Sequence, residues 1–329
     1  MRSSDRLLLS AVRVWSLAGH PGIWRRALRS KSGCFPNPAM PTTDTDKFLW
    51  RKVFDHNPLF SICCDKLAAK EYALKHAPAL KTAAVLWQGT DPRQIPPDLL
   101  AGNVVVKANH ASGWNILVRD GQFDRQQMLR RASRWARTRY ARYVGEWGYK
   151  NARRRVLVEE MLREPDGRPI AVEYKFHTSG GRTGYIYVRR RNADGTENWC
   201  VYERDGTPVP VSPQWTTWLA MPLPDTFERM RDIAETLAGA FDHIRVDLYS
   251  AAGEIYFSEL TVYPQSGKAL ASPRLSELRN AGWNLEKSWF LSTPQRGWRG
   301  LYASALRRWL ATQSGEAEVP ATMTRDLPA

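Results

Sequence analysis

The feature that most restricts how this 329-residue chain can fold is a pair of β-strand patterns on either side of the turn sequence SAAG at residues 250–253. Side chains alternate between the two faces of a strand, so Arg245 and Asp247 share one face of the first strand. Glu259 and Thr261 share one face of the second strand for the same reason. A turn this short predicts a β-hairpin that brings Asp247 close to Glu259.

The acidic pair in this hairpin is the first candidate site. Like charges directly opposite each other on neighbouring strands are destabilising unless a cation lies between them. Carboxylate oxygens such as those of Asp247 and Glu259, completed by phosphate oxygens and water, are ligands that Mg²⁺ prefers. The hairpin alone leaves two interpretations open, a magnesium site or a pair of solvated carboxylates on an exposed sheet face.

A second candidate site follows the predicted strand at residues 103–107, which ends at Lys107. The next residues form the turn-rich loop ANHASG, which contains Ser112 and Gly113 and precedes another predicted strand at residues 114–119. A lysine beside small loop residues can hold phosphate through its ammonium group and the backbone N–H groups. A lysine that extends its charged end to solvent explains the same pattern.

The remaining periodic segments predict helices packed on a sheet. Apolar residues at helical spacing predict helices at residues 6–18, 46–54, 65–76, 126–144 and 225–240. Alternating and β-branched segments predict strands at residues 155–162, 170–177 and 183–190. The first of these strands ends in the sequence VLVEEML, which fits either a purine site with an apolar wall and backbone hydrogen bonds or an ordinary strand end.

The positive charge of the chain is concentrated in two segments. Lysine and arginine outnumber aspartate and glutamate by 48 to 33, which gives a net charge of +15. Residues 1–43 contain seven basic side chains and one acidic side chain, and residues 130–155 contain ten basic side chains and one acidic side chain. The rest of the chain is neutral, so the composition predicts anionic partners at particular faces instead of a uniform coat on nucleic acid.

The basic segment at residues 130–155 permits three interpretations: a site for an anionic polymer, a solvated basic surface, or a nucleic-acid interface. Its arginines alternate with aromatic residues, as in proteins that stack bases, and these residues are Trp135, Tyr140, Tyr143 and Trp147. No helix-turn-helix, zinc-finger or RNP signature accompanies them. A non-enzymatic basic binder would leave the acidic hairpin unexplained, so we expect no specific nucleic-acid partner.

Six motifs follow one another along the chain: DKLAAKEY, VVVKANHASGWN, VLVEEML, EYKF, RVDLY and ELTVYPQSG. This order resembles the ATP-grasp superfamily, and most closely its TupA-like branch, which is associated with teichuronopeptide and other surface-polysaccharide synthesis. The resemblance extends over roughly residues 46–268. It implies an α+β fold in which two α/β subdomains enclose a nucleotide cleft, and it implies ATP and Mg²⁺ as cofactors.

The resemblance implies a nucleotide site built from several of these motifs. Lys107 would hold the ATP phosphates, and the loop after it would close over them as a flap. Glu159 would accept a hydrogen bond from the adenine amino group, and Glu173 would hold the ribose. The other residues implied to contact the nucleotide are Lys66, Ser112, Gly113, Glu160, Met161 and Leu162.

The resemblance also implies how the phosphoryl group is handled. Asp247 and Glu259 would bind Mg²⁺, together with Thr261. That threonine stands where many ATP-grasp enzymes have asparagine, and because it is a weaker neutral ligand the number of metal ions stays open. Arg245 would lie near the transferring phosphoryl group, and Lys175 would be a further phosphate contact.

The activity implied by the resemblance is ATP-dependent ligation of a carboxylate to an amine. The carboxylate would attack the γ-phosphoryl group, ADP would leave, and the amine would capture the acyl phosphate. The carboxylate and the amine acceptor are expected on a cell-envelope glycan or its precursor. A metal-dependent glycosyltransferase is the alternative enzyme; it predicts a D-x-D-like pair, whereas the sequence from Asp247 to Tyr249 contains one acid.

The predicted organisation has five parts. A basic arm and linker occupies residues 1–43, and a helical or α/β subdomain occupies residues 44–102. A lid subdomain at residues 103–162 precedes a catalytic subdomain at residues 163–312. The polar residues 313–329 are predicted to form a disordered tail.

The expected location is the cytoplasm. The cysteines form no C-x-x-C pattern, which favours a reducing compartment; they are Cys34, Cys63, Cys64 and Cys200. The basic arm at residues 1–43 also contains apolar residues such as Leu7, Val12 and Trp15. It therefore predicts peripheral contact with the anionic inner face of a membrane, a helix that docks on the body of the protein, or a disordered tail.

Overall fold

The computed structural model describes residues 1–20, 22, 35–192, 194–210, 221–268, 270 and 272–316. The α-helices within these residues are α1 (Ser3–Gly19), α2 (Asp44–Val53), α3 (Leu59–Cys63), α4 (Lys66–His76), α5 (Arg125–Arg137), α6 (Tyr140–Val144), α7 (Phe227–Ala238), α8 (Pro273–Ala281), α9 (Trp289–Ser292) and α10 (Trp298–Glu316). The strands are β1 (Lys81–Thr82), β2 (Val85–Gly89), β3 (Val104–Ala108), β4 (Asn115–Val118), β5 (Val156–Glu160), β6 (Val172–Ser179), β7 (Arg182–Arg191), β8 (Glu197–Glu203), β9 (His243–Ala251) and β10 (Glu254–Thr261).

The larger sheet contains six strands in the order β1-β10-β9-β6-β7-β8. β1 runs parallel to β10, and the other neighbours are antiparallel. The predicted hairpin is formed by β9 and β10, and its register pairs Asp247 with Glu259 and Arg245 with Thr261. The sequence pattern predicts no strand at the position of β8, which lies at the edge of this sheet.

The two faces of the larger sheet meet different surroundings. Apolar side chains such as Phe176, Ile186 and Val246 point into the main core, where α7 packs on β6 and β9. Successive residues of a strand point to opposite faces, so the polar residues between them lie on the other side. That polar face is the one that lines the cleft described below.

The smaller sheet has the order β2-β5-β3-β4 and is antiparallel throughout. α5 packs on it and buries Met128 and Trp135 in the same core as Val106 and Val158. β2 belongs to this sheet although it precedes residue 103, where the lid subdomain is predicted to begin.

The single helix predicted over residues 126–144 is two helices, α5 and α6, so that prediction is wrong. Thr138 has an extended conformation (φ −82°, ψ 132°), and its hydroxyl donates to the Arg134 carbonyl over 2.8 Å. The Nε2 atom of His110 lies 3.1 Å from the Trp135 carbonyl oxygen. The contact with His110 engages the Trp135 carbonyl, which a continuing helix would need for its own hydrogen bond.

α1 packs against α10, so the first and last described helices are neighbours. Leu9 and Val12 of α1 are buried in the same core as Leu306 of α10. Asp5 forms an ion pair with Arg308, 303 positions later, with 2.7 Å between Oδ1 and Nη2. The docked alternative for the N-terminal segment is therefore confirmed for α1, and no helix among the described residues is long and apolar enough to cross a bilayer.

Two predicted segments lie partly outside the described residues. In the described part of the arm and linker predicted at residues 1–43, the Tyr302 hydroxyl donates to the Ala39 carbonyl over 2.9 Å, which joins this segment to α10. The disordered tail predicted at residues 313–329 is described only as far as Glu316. Up to that point the chain is helical, because it continues the packed helix α10.

Arg51 of α2 holds the outer ends of the hairpin together. Its guanidinium is fully buried and donates to the carbonyl groups of His243 (2.9 Å) and Val262 (3.0 Å). It also donates to the Asp242 carboxylate over 2.7 Å. One side chain thereby joins the start of β9 to the end of β10 and supports the register between them.

Candidate active site

A cleft of about 1380 Å³ lies between the two sheets and is lined by both of them. The predicted site residues that the structure brings together along its wall are Lys66, Lys107, Ser112, Gly113, Glu159, Glu160, Met161, Leu162, Glu173, Lys175, Arg245, Asp247 and Glu259. Thr261 lies beside them, and its Oγ1 accepts from Arg245 Nη2 over 3.0 Å. The motifs that are dispersed along the sequence therefore meet at one cleft.

Glu159 at the end of β5 is buried between two lysines. Its Oε2 lies 2.5 Å from Nζ of Lys107 on β3, and its Oε1 lies 3.0 Å from Nζ of Lys70 on α4. Burial opposes ionisation of this carboxyl, but the Lys107 and Lys70 ammonium groups together hold the pKa of Glu159 below its usual value. The carboxylate is thus charged and is paired with two cations.

The neighbouring backbone offers a different contact to a purine. Glu160 Oε1 accepts from the Ala84 N–H over 2.7 Å, and the Met161 N–H donates to the Asn103 carbonyl. The Leu162 N–H has no backbone acceptor among the residues that the structure describes. It is therefore available to a ring nitrogen at this end of the cleft.

The loop between β3 and β4 has a fixed base and an exposed tip. Asn109 is buried, and its side chain accepts from the Leu67 N–H over 3.0 Å. The ammonium group of Lys66 donates to the Ala111 carbonyl. Ser112 and Gly113 at the tip are exposed, and Gly113 has a φ of +70°, a conformation that favours glycine.

The buried carboxylate of Asp247 on β9 is also bound by two cations. Its Oδ1 accepts from Arg245 Nε over 2.6 Å, and its Oδ2 accepts from Lys175 Nζ over 2.7 Å. The register places Lys175 opposite Asp247 on one side and Glu259 opposite it on the other. The predicted proximity of the two acids is therefore confirmed, and Arg245 Nη2 lies 3.4 Å from Glu259 Oε1.

Glu173 on β6 continues this charged network. Its Oε2 lies 2.6 Å from Nζ of Lys175 and 2.6 Å from Nη2 of Arg189. The hydroxyl groups of Tyr249 and Ser258 each donate to its Oε1 over 3.3 Å. Burial opposes ionisation, but Lys175, with a further contribution from Arg189, holds the pKa of Glu173 below its usual value.

The donor atoms of Asp247 and Glu259 fit Mg²⁺, since both are carboxylates on adjacent strands. Within the described residues no group of three or more His, Cys, Asp or Glu side chains could hold a metal ion by itself. An ion here would therefore complete its coordination with phosphate oxygens and water. Arg245 and Lys175 now neutralise Asp247, so they would have to turn toward the phosphates when the ion binds.

Sequence reasoning missed several charged residues of this cleft. Lys70 lies one helical turn after Lys66 in the motif DKLAAKEY, and that spacing is the signal that places both on one side of α4. Arg189 pairs with Glu173 across β6 and β7. Its signal is weaker, because a strand register is needed to know which acid it faces.

The arginines of the basic segment named below lie on the surface, but two of its aromatic residues, Trp135 and Tyr140, are buried. Arg130, Arg134 and Arg137 are exposed. Trp135 and Tyr140 are 5% and 9% exposed and pack in the core of the smaller sheet. The interpretation that these rings stack on bases is therefore wrong for the two of them, since core packing explains their spacing.

Comparison with known proteins agrees with this arrangement. A family model described as TupA-like ATP-grasp matches residues 46–278. The chain belongs to the TupA-like ATP-grasp family. This membership confirms the predicted resemblance, the α+β ATP-grasp fold and the assignment as an ATP-grasp ligase.

Solved structures similar to this TupA-like ATP-grasp protein include ligases of low sequence identity. D-alanine–D-alanine ligase from Bacillus anthracis is 17% identical over 78% of this chain and 69% of its own, with a TM-score of 0.40. The ATP-grasp ligase PsnB with its minimal precursor is 11% identical over 78% and 63%, with a TM-score of 0.38. Phosphoribosylamine–glycine ligase from Thermotoga maritima is 14% identical over 64% and 51%, with a TM-score of 0.38. No curated protein matches the chain.

Proposed function

We propose that this TupA-like ATP-grasp protein is an ATP-dependent carboxylate–amine ligase that acts through an acyl phosphate. The observation that carries the proposal is the meeting of two differently charged walls at one cleft. Lys66, Lys70 and Lys107 come from the smaller sheet and α4, whereas Asp247 and Glu259 lie on the larger sheet. A triphosphate with Mg²⁺ complements both walls, because its phosphates pair with ammonium groups and its metal with carboxylates.

The phosphates are assigned to the lysine wall. The Lys107 side chain is 21% exposed, so its ammonium group can reach a phosphate while it stays paired with Glu159. Lys66 supplies a second ammonium group at the base of the loop. The tip at Ser112 and Gly113 is exposed, and if it closes over the phosphates its backbone N–H groups would donate to them.

The base is assigned to the residues that follow β5, and the ribose is assigned to Glu173 on the larger sheet. The Leu162 N–H would donate to a purine ring nitrogen, with Met161 as the apolar contact. Glu173 would accept a hydrogen bond from a ribose hydroxyl, as it now accepts hydrogen bonds from protein hydroxyl groups. Glu160, which is held by the Ala84 N–H, would shape the edge of the purine pocket.

In the proposed reaction Asp247 and Glu259, with Thr261 beside them, would hold Mg²⁺, which would supply positive charge beside the phosphates. A substrate carboxylate oxygen bonds to the γ-phosphorus, and the bond to the β–γ bridging oxygen breaks to release ADP. Arg245 and Lys175 stabilise negative charge on the transferring group. The amine nitrogen then bonds to the acyl carbon, loses a proton, and phosphate leaves.

The proposed substrates are a carboxylate on a cell-envelope glycan or its precursor and an amine acceptor, used in the cytoplasm. The support is membership of the TupA-like branch, together with the basic face of α5. Its exposed residues Arg130, Arg134 and Arg137 would contact an anionic polymer. These substrate assignments depend on the ligase activity, so that activity is tested first.

The product formed from ATP tests the ligase proposal. The protein is incubated with Mg-ATP, hydroxylamine and a panel of amino acids and uronic acid glycosides, and nucleotides and hydroxamates are quantified. ADP with a hydroxamate supports an acyl phosphate, because hydroxylamine nitrogen captures the acyl group and phosphate leaves. AMP would contradict the phosphoryl transfer, and release of UDP from a nucleotide sugar would favour the glycosyltransferase instead.

A specific observation also supports peripheral contact with a membrane. On α1 the side chains of Leu7 and Val14 are 73% and 68% exposed, and their spacing of seven residues places them on one side of the helix. Arg2 and Arg6 are exposed nearby. We propose that this face rests on an anionic lipid surface, since apolar side chains and arginines together favour such binding.

Sedimentation with vesicles tests this contact. The double variant Leu7→Ser/Val14→Ser should bind about tenfold more weakly than the wild type to vesicles containing phosphatidylglycerol, because two apolar side chains no longer insert. Leu74→Ser, on the exposed side of α4, is the matched control and should bind as the wild type does. Equal binding of the double variant and the wild type would reject the contact.

A further inference from the structure

The polar face of the larger sheet continues past Arg245 into a part of the cleft that the nucleotide and the metal do not use. His177 of β6, Tyr187 of β7 and Arg279 of α8 line it. They are only 4%, 6% and 1% exposed. Each is polar, and each lies outside the charged network around Asp247.

These three side chains have polar atoms without partners. Among the described residues, no hydrogen-bond partner is found for Nδ1 of His177, the hydroxyl of Tyr187 or Nη1 of Arg279. Buried polar groups in folded proteins are nearly always hydrogen-bonded, and leaving one unpaired destabilises the fold. Three such atoms around one part of a cleft therefore point to a ligand that supplies the missing partners.

The sheet register shows where this subsite lies relative to the reaction. His177 is opposite Arg245, and Tyr187 is opposite Lys175. The residues of β6 that face the cleft are, in order, Glu173, Lys175 and His177. The subsite therefore begins at the next cleft-facing residue after Lys175, beside the proposed phosphoryl-transfer centre. In-line displacement places the attacking carboxylate on the side of the γ-phosphate away from ADP, which is the side where this subsite begins.

The polar groups of the subsite carry no net charge. The Arg279 guanidinium is neutralised by Asp44, with 2.7 Å from Nε to Oδ2. Burial holds the pKa of His177 well below its usual range, and burial raises the pKa of Tyr187, so both side chains are neutral near pH 7. Neutral groups that can donate or accept hydrogen bonds suit hydroxyl groups better than a second carboxylate.

Aromatic rings pack beside two of these polar groups. The ring of His177 stacks on Tyr185 with 4.3 Å between centroids, and Tyr187 meets Trp199 edge to face at 6.0 Å. Trp199 and Leu270 also line the cleft. Apolar ring surfaces beside hydroxyl-binding groups complement a sugar ring, which has hydroxyl groups at its edge and C–H groups on its faces.

We propose that His177, Tyr187 and Arg279 bind the hydroxyl groups of a sugar acid, whose carboxylate lies at Arg245 and receives the γ-phosphoryl group. This inference rests on the proposed ligase function and specifies the carboxylate substrate. The three residues determine specificity; they do not take part in the transfer of the phosphoryl group.

The test compares a sugar acid with its deoxygenated counterpart. The hydroxamate reaction is run with methyl α-D-glucuronoside and with cyclohexanecarboxylate, which has the same ring size and carboxylate but no hydroxyl groups. The wild type should favour the glucuronoside by about 100-fold or more in kcat/KM, because unpaired buried polar groups reject the analogue. Equal kcat/KM values for the two acids would overturn the inference, and this comparison needs only the wild-type protein.

The variant Tyr187→Phe removes one hydroxyl group and keeps the ring. It should lower kcat/KM for the glucuronoside about tenfold, mainly through KM, and leave kcat/KM for cyclohexanecarboxylate and the affinity for Mg-ATP unchanged. Tyr174→Phe is the matched control on the opposite face of β6, where Tyr174 packs in the core, and should resemble the wild type. Equal losses for both acids in Tyr187→Phe would overturn the inference.

The two proposals fail in different ways. If a simple amino acid yields ADP and a hydroxamate whereas the glucuronoside and the corresponding galacturonoside yield neither, the sugar-acid inference is wrong and the ligase function stands. If no carboxylate yields ADP and a hydroxamate although Mg-ATP binds, the proposed function itself is wrong and the inference falls with it.

Discussion

The smaller and the larger sheet each bury a carboxylate between two cations, but they recruit those cations differently. Glu159 in the smaller sheet is paired with Lys107 of a neighbouring strand and with Lys70 of a helix outside the sheet. Asp247 in the larger sheet is paired with Arg245 of its own strand and Lys175 of the adjacent one. The first arrangement ties two parts of the fold together, whereas the second follows from strand register alone.

The two walls also differ in their balance of charge. Around Glu159 there are three lysines, since Lys66 reaches the same part of the cleft. Around Asp247 the acids and bases are equal in number, and the other members are Glu173, Glu259, Lys175, Arg189 and Arg245. The excess of cations favours phosphate on the smaller-sheet side, and the balanced network can exchange a cation for a metal ion on the other.

The largest expected effect comes from the larger sheet. Asp247→Asn keeps the shape of the side chain but removes the charge proposed to hold Mg²⁺, so turnover to ADP should fall by about 100-fold or more. Glu254→Gln is the matched control, because Glu254 lies on β10 in a surface ion pair with Lys81.

Steady-state assays of both variants, with circular dichroism to check folding, decide this prediction. Asp247→Asn leaves Arg245 and Lys175 without their shared partner, so some loss of thermal stability is expected even if the fold is kept. Full turnover in Asp247→Asn would show that the balanced network is structural and that the metal is held elsewhere.

A smaller effect is expected from the lysine wall. Lys107→Met removes an ammonium group proposed to pair with phosphate, and a charge-assisted hydrogen bond contributes about 1.5–3 kcal/mol. The affinity for Mg-ATP, measured by calorimetric titration, should therefore fall about tenfold to 100-fold. Lys75→Met, on the exposed side of α4, should leave the affinity unchanged, and an unchanged affinity in Lys107→Met would mean that Lys107 only neutralises Glu159.

The smallest effect concerns acid stability. The pKa of Glu159 is below its usual value in the folded state, so its charge stabilises the fold above the ordinary glutamate pKa, and that contribution is lost as the pH falls through the folded pKa. Lys70→Met removes one of the cations responsible, so the variant should lose less stability than the wild type between neutral pH and about pH 3.5.

Urea unfolding at both pH values measures this difference. Lys70→Met is expected to be less stable than the wild type at neutral pH, because Glu159 loses a partner, and the gap between them should narrow in acid. Lys75→Met should keep the acid dependence of the wild type. If the gap for Lys70→Met is the same at both pH values, the Lys70–Glu159 ion pair does not contribute as described.

The comparison also explains which parts of the site could be predicted from the sequence. The pairing of Asp247 with Glu259 was predictable because a short turn and two-residue alternation determine which side chains meet across a hairpin. The contact between Lys70 and Glu159 was not, because it depends on how α4 packs beside β5. His177 continues the alternation of Glu173 and Lys175, but its importance became visible only when the register placed it opposite Arg245.

The elements of the fold were also predictable where local sequence determines them and not where distant contacts do. The helices α2 and α7, which have a clear apolar face, were predictable from periodicity. The end of α5 at Thr138 was not, because it depends on a hydrogen bond to His110, which is distant in the sequence. The strand β8 was also missed, because its apolar residues Trp199, Cys200 and Tyr202 form only a short pattern. It becomes recognisable as a strand through its pairing with β7.

The contact between α1 and α10 has a consequence for biosynthesis. Asp5 and Arg308 are 303 positions apart, and ribosomes add about 5–20 residues per second, so α1 leaves the ribosome about 15–60 s before its partner is made. During that interval Leu9 and Val12 are solvent-accessible on a nascent chain. The protein therefore completes its main core only after α10 has been made, and slow closure of this kind is a stage at which a chaperone can bind.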